Sequence, residues 1–294
     1  AYKKAKADYD AAKAKWDEAK ALYDGALDKE TPPDPGDQFV AGIDPRMANI
    51  FTVTTLIISV PIAEMVFVYL ATLVGGSIRF TTPMLWALGF LAAFLIGGVT
   101  GIFLGSSGSD IYFHDTYFVV AHIQFVLFGG SVFTIFAGIY HWFPKMTGRM
   151  YDERLGRIHF WGTVVGTWCT FIPMHWIGMD GMPRRVADYA SQYGDWNLMI
   201  SISAFVLGAV QLVFLYNMIV SWRFGPKAGN NPWRANSIEW QVTSPPPVFN
   251  FDEIPRVVGG PYEYGTPGAV HAIMGGEESD VPEPKPTTVT APSS

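Results

Sequence analysis

Two histidines near the middle of the chain have the residue type and setting of metal ligands. His122 lies inside an uncharged run, and a histidine within a membrane-crossing segment is a functional candidate because burying its ring is costly. His114 precedes that run and is followed by Asp115. Eight helical residues correspond to about 12 Å of rise and about 80° of rotation, so these imidazoles cannot share one ion. We expect separate sites, with His122 either ligating a metal or hydrogen-bonded to a neighbouring helix.

Three other histidines and one carboxyl group lie in or beside apolar segments. His141 adjoins Trp142 and has the position of an interfacial residue, while His159 and His175 lie near the two ends of one predicted helix. We expect packing roles for these three. Glu64 is the one formally charged side chain inside any apolar segment. It could relay protons, or it could pair with a Ser or Thr of a neighbouring helix.

The elements that must position these residues are long apolar helices. Only helices and closed barrels satisfy their backbone in lipid, and about 20 helical residues cross a hydrocarbon core of about 30 Å. The alternation of a barrel strand is missing. We therefore predict an all-α integral membrane protein with five transmembrane helices. Five windows of 20 or more residues hold at most one formal charge each: 47–74, 84–105, 117–143, 158–178 and 196–222.

The loop charges predict the orientation of these helices. The loop 144–157 carries four Lys and Arg residues, and the last helix ends at Arg223, so both should face the cytoplasm or matrix. Residues 1–46 and the loop 179–195 then lie on the outer side. That side holds Arg184 and Arg185, against the general bias. Either they bind an anionic partner, or they form local ion pairs with acids such as Asp180 or Asp188.

The two ends of the chain differ from its middle. Residues 1–30 repeat an aromatic residue every seven positions, with an alanine three places later, which predicts an extramembrane heptad helix. Its function is either docking or simple solubility. Residues 31–46 form a linker, 47–223 the membrane domain, and 224–294 an extended tail on the inner side.

Composition excludes several classes of protein. Charged residues make up 16% of the chain and hydrophobic residues 49%, which disfavours a soluble domain. The single cysteine, Cys169, excludes an internal disulfide and any centre that needs several thiolates. Because basic residues are not interleaved with aromatic ones, we expect no nucleic-acid partner. Membrane lipid is the expected environment.

Four segments of the chain carry long, specific motifs. They are 114–122 (HDTYFVVAH), 140–144 (YHWFP), 181–185 (GMPRR) and 239–247, which begins Glu-Trp and ends Ser-Pro-Pro-Pro. Together these motifs resemble the carboxyl-terminal half of subunit I of the haem–copper cytochrome c oxidases. The likeness extends over about residues 39–256 and corresponds to the last five of that subunit's twelve helices.

The resemblance implies a role for each candidate residue. His122 matches the axial ligand of the oxygen-site haem, which would be of the haem A type. Arg184 and Arg185 match the pair that holds the haem propionates, a role that suits guanidinium groups. His114 and Asp115 match a magnesium site on the outer side.

This sequence departs from the family pattern at three places. Gln124 stands where a second histidine would ligate the other haem. Met65 stands where a lysine serves one proton path, and Ile62 replaces a nearby hydroxyl. Gly36 and Asp37 stand where the family has two adjacent histidines for copper, so copper could be present only with ligands from a partner chain.

Two interpretations of function follow from this resemblance. The chain is half of a divided subunit I, and another polypeptide supplies the first seven helices, with cytochrome c or a similar protein as electron donor. Alternatively, it is a degenerate subunit that has a structural or assembly role without haem chemistry. In either case we expect other oxidase subunits as partners, in a bacterial plasma membrane or the mitochondrial inner membrane.

Overall fold

The computed structural model describes residues 44–76, 78–235, 237–259 and 272–273. The predicted heptad helix at 1–30, nearly all of the linker at 31–46, and Gly36 with Asp37 lie outside these residues. Most of the last 35 residues of the predicted tail also lie outside them. The predictions for those segments therefore stay predictions.

Within the described residues the fold is a bundle of α-helices. The helices are α1 (Pro45–Ile57), α2 (Ser59–Leu73), α3 (Thr82–Gly105), α4 (Ser107–Phe113), α5 (Tyr117–Val126), α6 (Phe133–Thr147), α7 (Glu153–Met179) and α8 (Gly194–Phe224). A π-helical turn, Leu127–Val132, joins α5 to α6, so these two helices form one continuous span. Two residue pairs, Arg256–Val257 and Ala272–Ile273, form a short antiparallel ladder of strands β1 and β2.

Four of the five predicted windows coincide with helices that are long and apolar enough to cross a membrane. Those spans are Arg46–Leu73, Thr82–Gly105, Tyr117–Thr147 and Ser191–Phe224. The remaining window, 158–178, lies in α7, whose 27 residues are enough to cross the hydrocarbon core. α7 is less apolar because it begins with Glu153 and two arginines and carries three threonines and two histidines. The all-α membrane fold is confirmed, and the count of five spans stays a prediction.

Local sequence signals explain where these helices begin and bend. Thr116 caps α5 by accepting a hydrogen bond from the amide of Phe118, at 3.2 Å. Asp152 caps α7 in the same way, accepting from the amides of Arg154 and Leu155. The first window is divided at Ile58, three residues before Pro61. Proline lacks the amide hydrogen that would bond to the carbonyl of Ile57, so the helix is interrupted there.

The core lies among α3, α5, α6, α7 and α8. Aromatic side chains fill it: Trp86 contacts Phe133 at a ring-centroid distance of 5.1 Å and Phe160 at 5.2 Å. Glycines allow the helices to approach closely. A Cβ at Gly178 would overlap the backbone of Phe118, so the outer end of α7 lies directly against the start of α5.

The α1–α2 arm lies at the edge of this core. α2 contains no buried residue, and neither does the most apolar part of the span Arg46–Leu73. The arm touches α3 and α4 only along a narrow strip. A cavity remains between the arm and the core.

Residues beyond α8 pack on the end of the bundle where α6 and α8 end. Lys145, near the end of α6, donates hydrogen bonds to the carbonyl oxygens of Asn230 at 3.0 Å and Val242 at 2.8 Å. Its ammonium group also lies 5.0 Å from the ring centroid of the buried Trp240. This first part of the predicted tail is therefore anchored to the membrane domain.

Candidate functional site

His122 lies on α5 and faces a cavity between the α1–α2 arm and the core. The cavity has a volume of about 410 Å³, within the range of about 300–1,000 Å³ typical of small-molecule and cofactor sites. Its walls come from α1, α2, α3 and α5 and are almost wholly apolar. Apart from His122, the polar side chains in the wall are those of Thr55 and Ser59.

The His122 ring is oriented by α3. Its Nδ1 lies 2.9 Å from the carbonyl oxygen of Gly97 and 3.2 Å from Oγ1 of Thr100. A carbonyl oxygen can only accept, so we assign the hydrogen to Nδ1, which donates. Both of the ring's hydrogen bonds within the described residues use Nδ1, which leaves the Nε2 lone pair for a ligand. A metal-ligating histidine commonly has this arrangement.

Two glycines of α3 make room beside the ring. A Cβ at Gly101 would lie 2.8 Å from Cε1 of His122, a separation that would force the ring to move. Gly98 also lines the cavity, and a Cβ there would meet no atom within 4 Å. The space beside the His122 ring therefore fits a flat apolar group that approaches Nε2. A haem is such a group.

The loops before α5 and after α7 are joined to each other. The amide of Arg184 donates to the carbonyl of Asp115 at 2.8 Å, and the amide of Tyr117 donates to the carbonyl of Met182 at 3.0 Å. Asp115 and Arg185 both adopt positive φ angles, of 56° and 63°. Non-glycine residues seldom adopt this conformation, and it is found preferentially at functional sites.

Asp115 and Arg184 form the central ion pair of this junction. Nε of Arg184 lies 2.6 Å from Oδ1 of Asp115. The hydrogen bond from Arg184 lowers the pKa of the Asp115 carboxyl group from its ordinary value of 3.8, and the charges of the neighbouring cations act in the same direction. The expectation that Arg184 could pair with Asp180 or Asp188 was wrong in its choice of acid, since the partner comes from the other loop.

His114 lies in the same junction, next to the buried Asp110. Nδ1 of His114 is 3.5 Å from Oδ2 of Asp110, one helical turn earlier. Across the described part of the chain, no group of three or more His, Cys, Asp or Glu side chains converges on one point. His114 and Asp115 would thus supply at most two of the six ligands that Mg²⁺ prefers. They fit this ion only if water or another chain supplies the remaining ligands.

The structure brings the predicted outer residues together at the start of α5. His114, Asp115, Arg184 and Arg185 lie on the two joined loops, and His122 lies five residues into the helix, about 7.5 Å of rise from its first residue, Tyr117. The predicted ligand and the predicted arginine pair are therefore separated by less than two helical turns.

Two of the histidines expected to have packing roles are bonded or packed inside the bundle. His159 has Nδ1 at 3.1 Å from the hydroxyl of Tyr140 and Nε2 at 3.0 Å from Oε1 of Gln211. His141 stacks on Trp233 with 14° between the ring planes. Both observations agree with packing roles.

His175 has a feature that sequence reasoning missed. It packs against Phe118 and Phe125, as expected for a core residue, but its buried Nε2 has no hydrogen-bond partner among the described residues. A partner for Nε2 depends on which helices meet around His175, and no pattern in the sequence reports this.

The sequence of this chain matches one protein family over most of its length. The profile of the cytochrome c and quinol oxidase polypeptide I family matches residues 37–243. This chain belongs to that family. Its resemblance to oxidase subunit I is thus confirmed, and the family establishes a helical integral membrane protein whose relatives are haem–copper oxidases.

Individual relatives give the extent of the match. The chain is 52% identical over 227 residues to cytochrome c oxidase subunit 1 of Thermostichus vulcanus, covering 77% of this chain and 41% of that protein. It is 47% identical over 211 residues to a putative cytochrome c oxidase subunit 1-beta of Streptomyces coelicolor, covering 70% and 37%. The chain therefore spans about two fifths of the length of these relatives.

A solved structure supports the same fold. A haem–copper terminal oxidase dimer studied by cryo-electron microscopy matches with a TM-score of 0.58 at 18% identity, over 66% of this chain and 39% of that one. At this identity the match is informative about the fold alone. The family implies haem as cofactor, and the residues that would hold it here are those described above.

Proposed function

We propose that this member of the oxidase subunit I family is the carboxyl-terminal half of a divided subunit I in a cytochrome c oxidase-type complex. The single observation that carries the proposal is the environment of His122, whose Nδ1 is bonded to Gly97 while its other nitrogen faces an apolar cavity. His159, by contrast, has both nitrogens bonded within the bundle and does not line that cavity.

In this proposal each residue has a distinct task. His122 supplies the axial nitrogen, and the Gly97 carbonyl keeps its ring in one tautomer. Arg184 and Arg185 hold propionate groups at the outer end, while Asp115 fixes the loop that carries Arg184. Haem, of the A type in this proposal, would supply reversible one-electron chemistry when bound.

Other parts of the site come from partners. In this proposal another polypeptide would carry the first helices, the copper ligands and the remaining haem ligand. An electron donor such as cytochrome c would serve the complex. His114 and Asp115 would take part in an outer magnesium site. The membrane is a bacterial plasma membrane or the mitochondrial inner membrane, with residues 1–46 outside.

The composition of the purified complex tests the divided-subunit proposal. The complex is isolated from its native membrane through a tag on this chain, and its polypeptides are sequenced by mass spectrometry. We expect a separate chain that has two adjacent histidines in a membrane helix. A complex that lacks such a chain would exclude the divided subunit.

A second candidate function rests on Gln124 and Met65. Gln124 is half-buried on α5, and an amide is a poor ligand for haem iron. Met65 is 44% exposed on α2 and has no titratable proton. These residues favour a degenerate subunit with a structural or assembly role. In that case replacing His122 with alanine would leave the oxygen consumption of the complex intact, whereas the divided subunit predicts its loss.

A further inference from the structure

One face of α2 carries a carboxyl group in the middle of a membrane span. Glu64 lies within the span Arg46–Leu73 and is exposed. Around it is a shallow groove of about 610 Å³. The groove is lined by Ser59, Val60, Ala63, Glu64, Phe67, Val68 and Ala71.

This groove adjoins the His122 cavity on α2. Ser59, Ala63 and Phe67 line both of them, whereas Val66 lines only the cavity and Glu64 only the groove. On a helix with 100° of rotation per residue, Glu64 is rotated by about 160° from Val66, so these two residues lie on nearly opposite sides of α2. An occupant that contacts Glu64 would therefore lie beside the cavity and share one edge with it.

Nothing within the described residues satisfies the Glu64 carboxyl group. No hydrogen bond or ion pair joins it to any of them, and the expected pairing with a neighbouring Ser or Thr is absent there. The nearest Lys or Arg residues along the chain are Arg46 and Arg79, at opposite ends of the span. A carboxyl group that faces lipid at this depth is costly, so such groups normally face a partner.

The shape of the groove suits a second helix. Ser59, Ala63 and Ala71 are small and lie on the groove at intervals of four or eight residues, an arrangement that lets two membrane helices approach closely. Phe67 and Val68 flank them and are 69% and 54% exposed. No residue of α2 is buried against the rest of the described chain, so the whole face is available.

We propose that a transmembrane helix of a partner polypeptide packs on this groove and places a Lys, Arg or His side chain against Glu64. Charge complementarity selects a basic side chain, because an ion pair compensates the carboxylate where lipid cannot. The inference rests on the proposed function in one respect, namely that other polypeptides complete the subunit.

Photo-crosslinking in the intact complex tests this inference. A benzophenone amino acid replaces Val68, one turn after Glu64 on the groove, in the tagged chain expressed in its native host. The matched control carries the same amino acid at Met65, which faces away from the groove. We expect Val68 to crosslink a partner segment that contains a basic residue within its membrane helix. Crosslinks only to lipid, or to a helix without a basic residue, would overturn the proposal.

The charge of Glu64 is tested separately. Glu64→Gln keeps the size and the hydrogen-bonding capacity of the side chain but removes its charge. We expect the yield of the Val68 crosslink to fall by about tenfold or more, because the partner's cation then lacks its counter-ion. The volume-matched control Met65→Leu should leave the yield unchanged. An unchanged yield in Glu64→Gln would show that the contact needs only a hydrogen bond and would overturn the ion pair.

Failure of this inference can be told apart from failure of the proposed function. The same preparations are assayed for haem by a reduced-minus-oxidised absorbance spectrum. If crosslinking contradicts the Glu64 contact while haem remains and depends on His122, the function stands and the contact is rejected. If haem is missing from every preparation, the proposed function fails whatever Glu64 contacts.

Discussion

The surroundings of His159 and of His122 show two ways of placing a histidine in a membrane helix. His159 is fully buried, surrounded by aromatic rings, and bonded through both nitrogens to groups of this chain. His122 is bonded through Nδ1 alone and borders a cavity. Burial by itself therefore does not indicate function. The informative feature is an unbonded nitrogen together with a cavity beside the ring, because His175 also has an Nε2 that is unbonded within the described residues but does not line this cavity.

The same contrast applies to whole regions. The part of the core around His159 is filled by side chains of α3, α6, α7 and α8. The region around His122 is closed on one side only by the α1–α2 arm, which has no buried residue in α2. The first region has a structural core of its own, and the second needs further groups to fill it.

Replacing His122 should have the largest effect. We expect His122→Ala to remove the signal of the haem at this cavity and to leave that of a haem held by the partner chain, because His122 is the one lining residue among the described residues that carries an axial nitrogen. The measurement is the reduced-minus-oxidised spectrum, normalised to protein. His141→Gln, at the inner end of α6, serves as the control and should keep the signal. A full signal in His122→Ala would place the ligand elsewhere.

Replacing His159 should destabilise the core region that surrounds it. His159→Ala removes a buried ring and leaves Tyr140 and Gln211 without their partner. We expect a loss of about 3 kcal/mol in unfolding free energy from the cavity and the unsatisfied groups. Thermal unfolding of the purified complex, followed by tryptophan fluorescence, measures this loss. His159→Gln, which retains hydrogen-bonding groups, should lose less. Equal losses in the two variants would mean that packing alone matters.

Gly101 offers a way to disturb His122 without removing it. In Gly101→Ala the new Cβ would lie 2.8 Å from Cε1 of His122, so the ring must turn away from its place. We expect haem affinity to fall by about tenfold, as for other changes that misorient a ligand. Haem-to-protein ratios after a mild chelating wash measure it. Gly208→Ala is the control, since a Cβ there meets nothing within 4 Å. Equal haem-to-protein ratios in the two variants would contradict a haem site beside His122 and Gly101.

Removing the ion pair between Asp115 and Arg184 should have the smallest effect, a slight loss of stability. The pKa of Asp115 is lowered in the fold, so its pair with Arg184 stabilises the protein above the ordinary value of 3.8, and this contribution is lost as the pH falls through the lower folded value. Asp115 is 54% exposed, so screening limits the effect to about 1 kcal/mol or less. Asp115→Asn should lower the unfolding temperature slightly at pH 6, and this difference should shrink near pH 3. A difference that grows on acidification would contradict the pair.

The sequence predicted the helices better than their contacts. The lengths of the apolar windows predicted α3, the α5–α6 span and α8, because the residues of a membrane helix themselves make it apolar over its whole length. The window 158–178 located α7 as well, although α7 is less apolar than the other spans because it has threonines and histidines among its buried residues.

Contacts between distant segments could not be predicted in the same way. Gly97 lies 25 residues before His122, and Asp115 lies 69 residues from Arg184. Nearby acids such as Asp180 were equally reasonable partners for Arg184 until the two loops were seen to join. The resemblance supplied the residue types of the site, while the open nitrogen and the cavity became visible only when the helices were packed.

A density map of the purified complex gives the most direct test of the site at His122. Cryo-electron microscopy at a resolution that shows side chains would reveal what fills the cavity of about 410 Å³ between α2, α3 and α5. We predict a flat macrocycle whose central metal is bonded to Nε2 of His122, with its acidic groups at Arg184 and Arg185. Lipid chains or packed side chains in that space, with no macrocycle against the imidazole, would contradict the assignment.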